Sequence, residues 1–226
     1  RLRAAIEFRT VHMKKKALVF VCALLASVCA RAQYGSPPYQ PPEEAPKEEP
    51  KAPPRVFRYY GLLGVGASAP LGGHWGDTGS GFKYSSDFTF AGAKKVDDTL
   101  SYGRAASYSS GHRNRTVRDM RVRIFSFTPF LRVASLRGKT TWFGVVGAGI
   151  YHWSRPSYSA AGESFPSDSG SSLGINMGGG ATRPFLDAWQ LGVDLRWHHI
   201  FSVQGDQLDV GLVNNIVPSV FFTYGF

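Results

Sequence analysis

A strict alternation of apolar residues with polar or small ones recurs in the sequence from Tyr59 to its end. Successive side chains of a β-strand point to opposite faces, so a period of two predicts strands with one apolar face. No segment in this region keeps the i, i+3, i+4, i+7 spacing of a helix for long. The last alternating segment, IVPSVFFTYGF, has an aromatic residue at its end.

Eight segments carry this alternation, and most reach the ~9–11 residues that a tilted strand needs to cross a bilayer. The segment at 99–109 has the faintest pattern. The segment at 140–153 is apolar on both faces, so its phase stays open. The predicted strands are 59–70, 82–92, 99–109, 121–136, 140–153, 171–185, 188–200 and 213–226.

The links between these strands alternate in length. Short links are predicted at 93–98, 137–139 and 186–187, and long links at 71–81, 110–120, 154–170 and 201–212. A transmembrane β-barrel has tight turns at its periplasmic end and long loops at the other end, whereas a soluble sandwich has no reason to sort its links in this way. The sequence therefore predicts an all-β fold, a closed antiparallel up-and-down transmembrane β-barrel of about eight strands.

Closure is required because lipid cannot satisfy the backbone hydrogen-bonding groups of an open sheet edge. The apolar alternate residues would then face lipid, and the Gly, Ser, Asn and Thr set would face inward. Aromatic residues near strand ends are predicted to form interfacial belts: Tyr59, Tyr60, Trp142, Tyr151, Trp153, Trp189 and Trp197. A secreted soluble β-sandwich that acts as a binding module is the alternative fold.

The segment 13–32, MKKKALVFVCALLASVCARA, combines three lysines, a short apolar run and a small-x-small end. This pattern is typical of a secretory signal peptide, predicted to be cut after Ala32. Residues 1–12 are interpreted as an upstream extension of the gene model. A lipoprotein signal that ends at Cys29 and a retained membrane-anchor helix are the alternatives.

Cleavage changes the charge and the cysteine content of the chain. The formal net charge of the whole sequence is +10, but residues 1–32 hold seven of the 26 Lys and Arg and one of the 16 Asp and Glu, which leaves +4. The basic character is thus no argument for nucleic-acid binding. Both cysteines, Cys22 and Cys29, lie in the signal, so the processed chain would have no disulfide framework.

Residues 33–58 contain eight prolines and a mixed Glu/Lys block, which predicts a disordered, partly polyproline-II periplasmic linker. At ~3.1 Å per residue this linker could reach roughly 80 Å. It is interpreted as a spacer, with a contact to peptidoglycan or a periplasmic partner as the alternative. The barrel domain is predicted to occupy 59–226.

Two segments, GVVGAGIY at 144–151 and GINMGGGATRPFLDAWQLGVDLRW at 174–197, carry a resemblance to a known family. With the terminal alternation, they resemble the small eight-stranded outer-membrane β-barrel proteins of the OmpX and OmpA membrane-domain type. The resemblance implies a monomer in the outer membrane of a bacterium with two membranes. It also implies an assembly signal, read by the barrel-assembly machinery, at Val220, Phe222, Tyr224 and Phe226.

Six polar residues are predicted to face the interior of the barrel: Lys83, Asp87, Arg132, Asn176, Asp194 and Arg196. The interior of an eight-stranded barrel is barely wide enough for side chains, and buried charges must pair to be tolerated. We expect a salt-bridge and hydrogen-bond network centred on Asp194 and Arg196 with Arg132. Structural filling of the interior is preferred over a transport role.

Arginine is concentrated in the second long link and the strand end that follows it: Arg113, Arg115, Arg118, Arg121 and Arg123. Guanidinium groups suit phosphates, and the outer leaflet of an outer membrane carries phosphorylated glycolipid. These residues are interpreted as contacts for lipopolysaccharide headgroups, with a merely solvated loop as the alternative. Interleaved stacking aromatics, which nucleic-acid binding would favour, are lacking.

No catalytic, metal-binding or cofactor-binding residue is predicted. Asp77-Thr78-Gly79-Ser80 matches the aspartic-protease tetrapeptide, but it occurs once and in a predicted loop, whereas those enzymes need two carboxylates. His198 and His199 are adjacent on a strand and would point to opposite faces. His199 and Ser202 offer only a loose pair for a lipid-hydrolysing site.

The expected role is structural or surface-interacting, of an adhesion-like kind, without catalysis. A narrow porin-like channel for small solutes is the main alternative, and a barrel enzyme that acts on lipid is a further one.

Overall fold

The computed structural model describes residues 57–206 and 208–226. The predicted leader and the linker up to residue 56 lie outside the described residues. Within the described part, the chain is built almost entirely of strands joined by turns and loops. The described residues contain no helix that could span a lipid bilayer.

The elements are numbered in chain order. They are β1 (Tyr59–Leu71), the short helix α1 (Gly73–Gly76), β2 (Ser85–Lys95), β3 (Leu100–Arg113), β4 (Arg121–Arg137), β5 (Thr140–Arg155), β6 (Tyr158–Ala160), β7 (Glu163–Phe165), β8 (Asp168–Pro184), β9 (Trp189–Gln204) and β10 (Asp209–Gly225).

Eight of the strands described close into one antiparallel barrel, in the order β1-β10-β9-β8-β5-β4-β3-β2. The seal between first and last strands is long and in register, from Tyr60 opposite Gly225 to Leu71 opposite Asn214. The predicted closed up-and-down barrel is confirmed, and the two-sheet sandwich is wrong. The remaining two strands, β6 and β7, form a small hairpin of their own in the loop after β5.

Three of the four links predicted to be long are longer than every predicted short link, and the fourth is not. The barrel strands are joined at one end by tight turns after β2, β4 and β8, which we call the short-turn end. The opposite end, here the long-loop end, carries α1, the link 114–120 and the β6–β7 hairpin. The last link is shorter than predicted, 205–208 instead of 201–212, because β9 and β10 pair beyond the predicted strand ends.

The alternation separates an apolar outer surface from an inner one. On β10, Val220, Phe222 and Tyr224 are exposed on the barrel exterior while Val217 and Phe221 are buried inside. The predicted phase of this strand is therefore confirmed. For β5, whose phase was open, the structure turns Phe143 and Val145 inward and leaves the alternate residues outside.

Three residues predicted for the interfacial belts lie inside the barrel instead. Tyr60, Tyr151 and Trp153 are 5%, 2% and 1% exposed, so that part of the prediction is wrong. The physical reason is parity: Tyr60 follows the outward Tyr59, and adjacent strand residues point to opposite faces. Tyr59, Trp142 and Trp189 do lie on the exterior.

Candidate functional site

The interior of the barrel is packed in layers. A long-loop-end cluster consists of Trp75, Phe82, Val122, Ile124, Tyr151, Trp153, Ile200, Val203, Leu208, Val210 and Val213. A short-turn-end cluster consists of Tyr60, Leu62, Ala91, Ala93, Ala105, Phe130, Phe143, Val145 and Phe221. Buried polar side chains, described next, lie on the same inward faces of the strands.

An ion pair between Asp194 and Arg196 forms part of this polar set. Both residues belong to the inward face of β9, and Arg196 Nε donates to Asp194 Oδ2 over 2.8 Å. The hydroxyl of Ser219, which is the register partner of Asp194 on β10, donates to the other carboxylate oxygen. The side chains of Asp194 and Arg196 are 3% and 11% exposed, so both charges are largely withdrawn from solvent.

The side chain of Asp87, on β2, is a second buried carboxylate. Ser109 Oγ donates to it over 2.7 Å from the register partner position on β3, and Thr89 Oγ1 donates over 3.3 Å. Two hydroxyl donors thus replace the solvent that the carboxylate loses on burial.

A third polar group links β5, β8 and β9. Tyr151 Oη and His198 Nδ1 share a hydrogen bond of 3.0 Å, and Asn176 Nδ2 donates to the same hydroxyl over 3.4 Å. His199, the next residue, bonds Asn214 on β10. The two histidines therefore occupy different environments. No group of three or more potential metal ligands occurs among the residues described.

Arg132 is buried, as its parity predicts, but its surroundings differ from the prediction. Its guanidinium lies 4.0 Å from the centre of the Phe143 ring and 5.4 Å from that of Tyr60. Its Nε has no hydrogen-bond partner. The expected network of Arg132 with Asp194 and Arg196 is replaced by a stacked cation in the short-turn-end cluster.

Lys83 also departs from the prediction. It precedes β2, is exposed, and its backbone N–H donates to Arg113 O over 2.8 Å at the long-loop end. The strand begins two residues later than predicted, at Ser85, so the inward phase that was assumed for Lys83 does not apply.

The long-loop end is filled by a side chain that the sequence analysis did not single out. α1 carries Trp75, which is fully buried, and its Nε1 donates to Asn215 Oδ1 on β10 over 2.8 Å. Its ring lies 4.4 Å from that of Phe82 and 5.0 Å from that of His112. The link after β1 thus places an aromatic residue inside the barrel end.

The arginines predicted at the rim are all exposed. Arg113 and Arg121 are register partners on β3 and β4, and Arg123 follows on the same face as Arg121. The other two, Arg115 and Arg118, lie in the link 114–120. We call these five residues the arginine rim. On β4, Arg121 and Arg123 lie on the same outer face as Phe125, which is the first exposed large apolar residue of that strand.

Asp77 of the protease-like tetrapeptide supports a turn. Its carboxylate accepts hydrogen bonds from the backbone N–H of Gly79 and from both the N–H and the hydroxyl of Ser80. These donors lower the pKa of Asp77 to about 2, with the Ser80 hydroxyl as the largest cause.

The residues predicted as the assembly signal lie on the outer face of β10 beside the barrel seam. Val220 is the register partner of Val65 on β1, and Phe222 that of Leu63. Phe226 exchanges two backbone hydrogen bonds with Tyr59, of 3.0 and 2.9 Å. Whether a machinery reads them stays a prediction.

Comparison of the sequence with protein-family models and with curated proteins found no match. Among solved structures, Neisserial surface protein A aligns with a TM-score of 0.50 and 11% identity, covering 74% of this chain and 97% of that one. OprG from Pseudomonas aeruginosa aligns with 0.49 and 12%, covering 76% and 98%. Ail of Yersinia pestis, in complex with the heparin analogue sucrose octasulfate, aligns with 0.43 and 14%, covering 74% and 100%.

Identities this low show a shared fold alone. The closed antiparallel barrel of eight strands in the described part of this chain is therefore the fold of the eight-stranded outer-membrane β-barrels.

Proposed function

We propose that this protein is an integral outer-membrane barrel with a structural or surface-interacting role, and that it does not conduct solutes. The packed interior carries the proposal. An apolar cluster at each end and buried polar side chains on the same inward faces occupy the space through which a solute would pass.

Residence in a membrane is supported by the outer surface. Large apolar side chains are exposed on neighbouring strands, among them Leu63 at 65%, Phe90 at 63% and Leu131 at 52%. A soluble protein rarely exposes a continuous apolar surface, whereas hydrocarbon solvates one. The leader predicted at residues 13–32 is consistent with export.

The test combines gel mobility with bilayer recording on the refolded protein. We expect a band that shifts on heating, because closed barrels resist detergent until heated, and no stepwise current in planar bilayers. A general porin serves as the positive control for the recording. A heat-shifting band with stepwise openings would establish the channel alternative, and the absence of any shift would contradict membrane residence.

The surface-interacting part of the proposal rests on the arginine rim. Guanidinium groups form paired, charge-assisted hydrogen bonds with phosphate oxygens. At the level just beyond the apolar surface they are placed to meet phosphorylated headgroups. We therefore propose lipopolysaccharide as the contact of this rim.

Replacing three rim arginines tests this contact. The variant Arg113→Gln/Arg121→Gln/Arg123→Gln is expected to weaken binding of purified lipopolysaccharide by about tenfold or more, since hydrogen bonds to charged groups contribute roughly 1.5–3 kcal/mol each when well formed. Binding is measured as the rise, on addition of lipopolysaccharide, in the temperature at which the band of the folded protein is lost from the gel.

A charge-matched control changes Arg137, Lys139 and Arg183 to Gln at the short-turn end. We expect this control to bind like the wild type. Equal loss in both variants would indicate only a dependence on net charge, and the rim proposal would then be abandoned.

A further inference from the structure

The lipid-facing surface carries a cation where apolar residues are the rule. Arg104 is exposed on the outer face of β3, between Tyr102 and Ala106 of the same face. Its register partners are Gly92 on β2 and Pro129 on β4. Among the described residues, no carboxylate pairs with it. A charge on the lipid face of a barrel is destabilising, more so with depth, so an unpaired arginine here calls for a partner in the membrane.

Arg104 borders a groove of about 1350 Å³ on the same outer surface. Small residues make part of its lining, and the rings of Phe90 and Phe127 also border it. The small lining residues that face outward are Gly61, Gly92, Ala106 and Ala148. Such a groove on a lipid-facing sheet has the chemistry to take a hydrocarbon chain.

A second cation lines this groove at its short-turn side. Lys94 is exposed, is the register partner of Tyr102, and its Nζ lies 5.8 Å from the centre of the Tyr59 ring. Arg104 lies four residues beyond Leu100, the first residue of β3, which places it roughly 13 Å from the short-turn end of that strand at ~3.3 Å per residue. Arginine and lysine side chains can extend along apolar surface so that their charged ends reach the headgroup level.

We propose that this surface binds one anionic phospholipid of the leaflet at the short-turn end. The phosphate is held by Arg104 and Lys94, and an acyl chain lies in the groove between Phe90 and Phe127. This site rests on the proposed membrane residence. A second copy of the chain fits less well, because a two-fold contact across the groove would bring the same two cations together without an anion between them.

The probe is phosphatidylglycerol, added to the refolded protein in detergent and followed by native mass spectrometry. We expect the wild type to retain one phosphatidylglycerol, and to retain phosphatidylethanolamine about tenfold less tightly. Arg104→Gln/Lys94→Gln is expected to lose this preference. A tenfold difference in affinity corresponds to about 1.4 kcal/mol, which hydrogen bonds to a charged group can supply.

A second variant fills the groove without changing charge. A Cβ at position 92 would meet no atom within 4 Å, so Gly92→Leu should fold normally and compete with the acyl chain. Its matched control is Gly144→Leu, another exposed glycine, where a Cβ would meet only Gly178 O at 3.9 Å. The charge control is Arg183→Gln. Both controls should retain the lipid as the wild type does.

The outcomes separate this site from the proposed function. The lipid site is refuted, while membrane residence stands, if the heat shift is present but the wild type retains phosphatidylglycerol no better than phosphatidylethanolamine. It is also refuted if Gly92→Leu and Arg104→Gln/Lys94→Gln retain phosphatidylglycerol as well as the wild type does. A dimer mass that Gly92→Leu abolishes would refute it in favour of a second copy. Absence of the heat shift would remove both proposals together.

Discussion

Asp194→Ala is expected to destabilise the folded barrel by about 3–5 kcal/mol, because removing one partner of a buried ion pair leaves an uncompensated charge inside. The charge in question is Arg196, whose side chain is 11% exposed and whose Nε donates to Asp194. The hydroxyl of Ser219 would lose its acceptor as well. Urea unfolding of the refolded protein in lipid vesicles, followed by tryptophan fluorescence, measures the loss.

A double variant shows whether the loss comes from the stranded charge. Asp194→Ala/Arg196→Met removes both charges and keeps an unbranched side chain at position 196, so most of the lost stability should return. Asp98→Ala, at an exposed carboxylate in a short turn, is the control, with an expected change within about 0.5 kcal/mol. If the double variant were as unstable as Asp194→Ala alone, the pair would not be the cause.

Trp75→Ala is expected to release the link after β1 from the barrel. Truncating a buried tryptophan costs about 3–5 kcal/mol, and the hydrogen bond to Asn215 is lost too. The ring of Phe82, in the same link, packs against Trp75 and loses this contact too, so the loop should open more often while the barrel stays closed. Trypsin cleavage after Lys83, identified by the mass of the products, reports this detachment.

Two comparisons sharpen the Trp75 experiment. His74→Ala removes the exposed ring next to Trp75 in the same link, leaves the residues around the scissile bond unchanged, and should leave cleavage after Lys83 at the wild-type rate. The heat-dependent gel shift should persist in both variants, which shows that the barrel itself remains folded. Unchanged cleavage in Trp75→Ala would mean that the tryptophan does not hold the loop.

The eight barrel strands and three of the four long links were predictable because both are local properties of the sequence. The phase of β10 follows from its own alternation, and the outward and inward sets agree with the structure. One error was avoidable by the same rule. Tyr59 and Tyr60 are adjacent, so only one of them can lie on the lipid side.

The interior contacts depended on which strands meet. Parity alone directs Arg132 inward, but its position beside Phe143 rather than near Asp194 follows from the register of β4 with β5. The burial of Trp75 carried one weak signal, a lone tryptophan in a glycine-rich link. Its acceptor, Asn215, lies 140 residues away and no local pattern points to it.

The alternation and the link lengths were enough to predict the number of barrel strands, most of their apolar faces and the end of the barrel at which the long links lie, since each is a property of one strand or one link. The fold was needed to fix the phase of β5, the separation of Arg132 from the Asp194–Arg196 pair, the side chain that closes the long-loop end and the juxtaposition of Arg104, Lys94 and the groove. The physical reason is that barrel closure and register bring distant residues together, and the free energy of those contacts depends on every strand at once.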